Sequence, residues 1–144
     1  MTTEIADAVK SRWDDASLDS SIATLYVGDE ESSPEGTSLP RAEYVLLQDR
    51  PGRRSRGSRE MFQPVRFNVW GTNSRTTRGY IDSIESSFVN SEVAVANPFS
   101  IASSVGTILG VNHIGKDSVR VDEGIYQGVV NLEIHWSKPN AVPA

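Results

Sequence analysis

The stretch "MFQPVRFNVWG", residues 61–71, alternates in character. Phe62, Pro64, Val65, Phe67 and Val69 are mostly apolar, and Gln63, Arg66 and Asn68 stand between them. A period of two marks a half-buried β-strand, ended by Trp70-Gly71. Upstream, residues 42–48, "AEYVLLQ", form an apolar run led in by Leu39-Pro40. A proline at a strand's first residues removes a donor where the ladder misses it least. Two such strands joined by a polar, glycine-bearing segment predict a long antiparallel hairpin.

The joining segment is "RPGRRSRGSRE", residues 50–60, with five arginines: Arg50, Arg53, Arg54, Arg56 and Arg59. Anchored at both ends by strands, these arginines are predicted to lie on a hairpin tip rather than a free tail. Their surroundings are acidic. Residues 1–49 carry eleven acids and three bases, residues 50–78 one acid and eight bases, and residues 79–144 seven acids and three bases. The net charge of −5 therefore hides a divided surface. Such a division suits a chain that meets copies of itself or other proteins by charge complementarity. It suits a dedicated nucleic-acid binder less, because those domains are usually basic throughout. A solvated basic loop without a partner is the plain alternative.

Two helices frame the strands. Ile5, Ala8, Val9, Arg12, Trp13 and Ala16 recur at helical spacing over residues 3–16, with Thr2 or Thr3 as N-cap. Leu18 and Ile22 carry that face into a short extended segment at residues 23–27. Residues 28–38, "GDEESSPEGTS", have loop composition and contain Asp29, Glu30 and Glu31. The second helix spans residues 74–88, capped by Ser74, with Tyr80, Ile81, Ile84 and Phe88 on one stripe. Gly79 costs its first turn about 1 kcal/mol against alanine.

Residues 89–104 are a mixed connection, residues 107–114 a strand with Gly106 and Gly110 as weak points, and residues 116–122 a short ribbon. The longest strand spans residues 124–136, with Tyr126, Val130, Leu132, Ile134 and Trp136 sharing one face. The order predicts an α+β fold: an antiparallel or mixed β-sheet with a long β-hairpin, packed against two α-helices. One domain is expected over residues 1–138, followed by a flexible tail at 139–144.

Chemistry-bearing patterns are sparse. The chain has no cysteine, which excludes disulfides, thiolate metal sites and cysteine nucleophiles. His113 and His135 are the only histidines, and neither stands at metal-ligand spacing with Asp117, Asp122 or Glu133. There is no GxSxG elbow, and residues 106–110, "GTILG", lack the lysine of a phosphate-binding loop. Asp14-Asp15, at a helix end, reads as a solvated turn rather than a catalytic pair. No enzyme, cofactor or metal is expected. No stretch has the ~20 apolar residues of a membrane span, and the N-terminus lacks the pattern of a signal peptide. Trp70 falls on the polar phase of its strand. It is either an exposed interface anchor or a cover for the edge of the second helix.

The order of these elements resembles the tail-completion, or tail-terminator, proteins of long-tailed bacteriophages. The resemblance covers roughly residues 4–137, carried by "LPRAEYVLL", "VRFNVWG" and "YQGVVNLEIHW". Its most specific pieces are Phe67-Asn68-Val69-Trp70-Gly71 and the end of the last strand at Ile134-His135-Trp136. Arg41 and Ala42 depart from the usual proline–tyrosine pairing, and the arginine segment is more basic than the family's norm.

The resemblance implies a non-enzymatic virion protein forming a ring, usually a hexamer, at the head-proximal end of the tail tube. The ring would end tube polymerisation and offer a surface to the head-closure or connector protein. Double-stranded DNA would pass through its channel without sequence-specific contact. Assembly would take place in the host cytoplasm. On this reading Arg50, Arg53, Arg54, Arg56, Arg59, Trp70, Asp29, Glu30 and Glu31 are candidate interface residues, the acids facing the arginines of a neighbour or of the tube. The competing readings are another neck component, such as a head-closure protein, and a DNA-binding module gripping phosphates with the arginines. The arginine segment has no aromatic residue on which a base could stack.

Overall fold

The computed structural model describes residues 3–27, 39–55, 57–89 and 106–139. Its elements are α1 (Thr3–Asp15), α2 (Leu18–Ser21), β1 (Leu25–Val27), β2 (Arg41–Leu46), β3 (Arg50–Ser55), β4 (Ser58–Gly71), α3 (Ser74–Val89), β5 (Thr107–Asp122) and β6 (Ile125–Pro139). The strands form one mixed sheet in the order β1-β2-β4-β6-β5, with β3 paired to β4 off that path. Only β1 runs parallel to its neighbour; the other pairings are antiparallel. The expected α+β class is what the structure has.

The strand at residues 61–71 is the centre of the sheet, as its alternation predicts. Its register matches Phe67 with Tyr44 of β2 and Val130 of β6, and Val65 with Leu46 and Leu132. These side chains point to one face, where Ile5, Val9, Trp13, Ile81, Ile84 and Phe88 of the helices bury against them. Trp13 stacks on Phe67 with ring centroids 6.0 Å apart, and its indole Nε1 donates to Ala23 O at 2.9 Å. The buried tryptophan thus joins α1 to the sheet and ties down the turn toward β1, its one polar atom satisfied.

Helix α3 crosses the sheet where β6 has a glycine. A Cβ added at Gly128 would stand 2.5 Å from Ile81 Cγ2 and 3.1 Å from Val69 Cγ1, so only glycine admits the helix this closely. The cap of α3 differs from expectation. Asn73, not Ser74, closes its first turn: Asn73 Oδ1 accepts from Thr76 N at 2.8 Å, and Asn73 O accepts from Thr77 N and Thr77 Oγ1. The asparagine side chain satisfies a first-turn N–H that has no partner within the helix.

Three further boundaries change. The two segments expected at residues 107–114 and 116–122 are one strand, β5, with register shifts at Ile108/Gly110, His113/Gly115 and Arg120/Asp122. Bulges absorb the irregularities that made the segments look separate. The central strand begins at Ser58, before the alternation becomes visible, because β3 and the end of β6 pair with its first residues. Leu18 and Ile22 are buried as expected, but Leu18 opens the short helix α2. Lys138 and Pro139 pair with Arg59 and Ser58, and residues 140–144 of the expected tail lie outside the described residues.

The phase of the central strand also needs correction at its start. Gln63, which the alternation assigns to the polar phase, is 1% exposed on the core face, while Phe62 and Pro64 belong to the opposite face. Gln63 is tolerated there because its Nε2 donates to Leu47 O and Pro64 O, where β2 leaves the sheet.

Candidate assembly surface

The described residues on either side of Arg56 in the arginine segment are strand, not loop. Residues Arg50–Ser55 form β3 and pair back on β4, from Arg50↔Phe62 to Ser55↔Ser58, with a register shift between Pro51 and Arg54. β2 and β3 follow one another along the same edge of β4, while β6 pairs with its other edge throughout. The expected long hairpin is therefore present, but its tip is a two-stranded ribbon turning at Gly57, whose φ of 86° suits glycine. Alternation is hard to see here because arginine occupies both phases.

The ribbon is braced at its base. The Arg50 guanidinium lies 4.1 Å from the centroid of the Phe62 ring and bridges Glu133 at 3.2 Å. Phe62 stacks on His135, with centroids 4.6 Å apart and planes within 5°. His135 Nε2 lies 3.6 Å from Glu60 Oε2, and that oxygen accepts from Arg53 N at 3.4 Å. Residues of β3, β4 and β6 thus interlock on the face away from the helices. Gly52 makes room for this, since a Cβ there would stand 2.5 Å from Phe62 Cε2.

Beyond the brace, Arg53 and Arg54 are exposed and form no salt bridge among the described residues. Arg59 is half-buried opposite Arg54. Arg56, Asp29, Glu30 and Glu31 lie outside the described residues, and so does the expected pairing of those acids with the arginines. Trp70 is no exposed anchor: it is 6% exposed. It sits on the central strand between Arg41 of β2 and Gln127 of β6, so side chains rather than water flank it. Nearby, Arg41 bridges the buried carboxylate of Glu43 at 2.8 Å.

The opposite sign appears at the helical pole. Asp14, Asp15 and Asp19 are exposed at the end of α1 and on α2, and none forms a salt bridge among the described residues. In the sequence Asp14-Asp15 reads only as a solvated turn, because local spacing does not tell an exposed acid from one at an interface. The neighbouring Arg12 is buried, its Nε donating to Ser87 O at 2.8 Å. Burial holds its pKa below the usual arginine value, and Asp15 partly counters this.

The sheet's β5 side carries exposed Leu109, Ile114 and Val121, and an open groove between α3 and β5. Asp82, Glu85, Ser86, Val89 and Lys116 line that groove, about 420 Å³ in volume. Lys116 Nζ bridges Glu85 at 2.6 Å and Asp82 at 2.9 Å, and these bonds raise its pKa. His113 belongs to this helix-bearing face, 3.8 Å from Glu85, whereas His135 belongs to the other. The two histidines are therefore on opposite sides of the sheet. Among the described residues no three His, Asp or Glu side chains group as metal ligands, and no helix is long and apolar enough to cross a membrane.

No protein-family model matches the chain, and no curated protein matches it in sequence. Its fold is similar to that of a chain in the solved virion of a native gene transfer agent particle. The TM-score is 0.63 at 12% identity, over 91% of this chain and 92% of the other. At that identity the likeness is one of fold.

Proposed function

We propose that this chain is a structural subunit of a phage-like virion, and that its copies form a ring, of six on the family pattern, at the head-proximal end of the tail tube. The ring ends growth of the tube protein and presents a joining surface to the head-closure or connector protein. Double-stranded DNA passes through it without sequence-specific contact. The role is non-enzymatic, and the chain is put together with its partners in the host cytoplasm before taking its place in the tail.

The observation that carries this reading is the shared fold, end to end, with a chain of a virion particle. The resemblance of "VRFNVWG" and "YQGVVNLEIHW" to tail terminators supports the position proposed within the particle. A strand ribbon that exposes Arg53 and Arg54, on a chain whose helical pole is acidic, suits a subunit that meets unlike surfaces on its neighbours. A phosphate grip by all five arginines is less well supported, because Arg50 is held by Glu133 and Phe62.

The test is electron microscopy of particles produced without this chain. Tails of irregular or excess length, and filled heads without tails, are expected. Particles of normal length and normal joining would refute the proposal.

A further inference from the structure

The arginine ribbon and the aspartate pole cannot meet within one chain. Ser58, at the ribbon's turn, and Phe67, on which Trp13 stacks, are nine residues apart on one strand. At ~3.3 Å per residue that is about 30 Å along the strand, far beyond the reach of a side chain. Asp14 and Asp15 follow Trp13 directly. The brace of Arg50, Phe62, His135 and Glu133 holds the ribbon in place, so it does not fold back.

Resting on the ring reading above, we infer that Arg53 and Arg54 at the ribbon tip of one copy dock on the Asp14, Asp15 and Asp19 pole of the next. The two patches are opposite in sign, form no salt bridge among the described residues, and are carried on separate parts of the chain. A contact between two different patches is heterologous, and repeats from copy to copy until it closes into a ring or continues as a filament. The braced ribbon also keeps the ordering cost of docking low, which a loose arginine loop would not. Two or more guanidinium–carboxylate pairs at a partly desolvated contact set the register between neighbours and make association fall as salt rises. DNA phosphate is the other chemistry able to pair with the tip. It leaves the aspartate pole without a partner, so a second copy accounts for more of the surface.

The test uses the full chain and its charge reversals, followed by analytical ultracentrifugation at low and high salt. R53E/R54E alters exposed strand positions, D14K/D15K places bases at the C-terminal end of α1, where they favour the helix, and D19K changes an exposed position on the four-residue α2. Both are checked for native melting by circular dichroism. The neutral pair R53Q/R54Q and D14N/D15N/D19N stands in if either reversal fails to fold. The wild type associates reversibly, and each single-patch variant loses at least about tenfold in self-association. A 1:1 mixture of the two reversed chains, or one chain carrying both reversals, regains it. Unchanged association of the variants overturns the inference, and so does failure of the folded double reversal to recover.

A wild type that stays monomeric at low salt also overturns it. The ring reading is then still decided by the morphology of particles lacking the chain. Retention on double-stranded DNA that is lost in R53E/R54E, with self-association unchanged, reassigns the tip to nucleic acid.

Discussion

The guanidinium of Arg50 lies 4.1 Å from the centroid of the Phe62 ring, on the sheet face away from the helices. This contact converts a run of arginines into a presented ribbon, because it fixes β3 on β4 where the register shifts between Pro51 and Arg54. Cation–π and ring-stacking contacts of this kind are each worth about 0.5–1.5 kcal/mol. Phe62→Ala removes both and is expected to lower stability by about 1–3 kcal/mol on those figures. Hydrogen exchange should quicken at residues 50–60 while β6 keeps its protection. Uniform loss of protection across the sheet would show that Phe62 belongs to the general core.

Trp13 sets the docking of α1. Trp13→Ala deletes a fully buried ring and its bond to Ala23 O, and is expected to cost about 3–5 kcal/mol. Trp13→Phe keeps an aromatic partner for Phe67 and should cost clearly less. Denaturant melts compare the two; equal losses would show that the ring contact contributes little.

At Gly128 any side chain collides with Ile81 and Val69. Gly128→Val should displace α3 and destabilise by about 1–3 kcal/mol, as overpacking does. A β-branched residue is otherwise favoured in a strand, so a stabilised variant would mean that the helix yields freely.

The cap of α3 separates two adjacent residues. Asn73→Ala should cost about 1 kcal/mol, whereas Ser74→Ala should change thermal stability little. The reverse order would restore Ser74 as the cap.

Alkaline pH acts through two groups whose folded pKa is raised. Lys116 is held up by Glu85 first and Asp82 second, and Tyr44 by burial first and the charge of Asp7 second. In each case the folded state holds the proton more tightly than the unfolded one. Their contributions are therefore complete below the unfolded values, about 10 for tyrosine and about 10.4 for lysine, and are lost as pH rises through the folded values. Stability should fall above about pH 10, and less steeply in Tyr44→Phe and Lys116→Met. The Lys116 share is small, since exposed pairs contribute little. Unchanged pH slopes in both variants would remove these groups from the account.

The sequence by itself determined the class of fold and most of its core. Period-two alternation at Val65, Phe67 and Val69, and at Val130, Leu132, Ile134 and Trp136, places these residues on one sheet face whatever the sheet's neighbours are. Helical spacing does the same for Ile5, Val9 and Trp13. Those patterns are local, and burial of a single face enforces them. The arginine ribbon was not legible as a strand, because a segment with arginine in both phases shows no period. Only its cross-strand partners make it one: Phe62 on β4, with His135 of β6 stacked on that ring, and Glu133 of β6, bridged directly by Arg50.

Trp70 illustrates the same limit. Its phase was legible, but its burial depended on what flanks a central strand. The pairing of unlike charges also needed the fold. Composition revealed that the surface is divided by sign. It took the length of β4 to show that the arginine tip and the Asp14, Asp15 and Asp19 pole stand too far apart to neutralise each other within one chain.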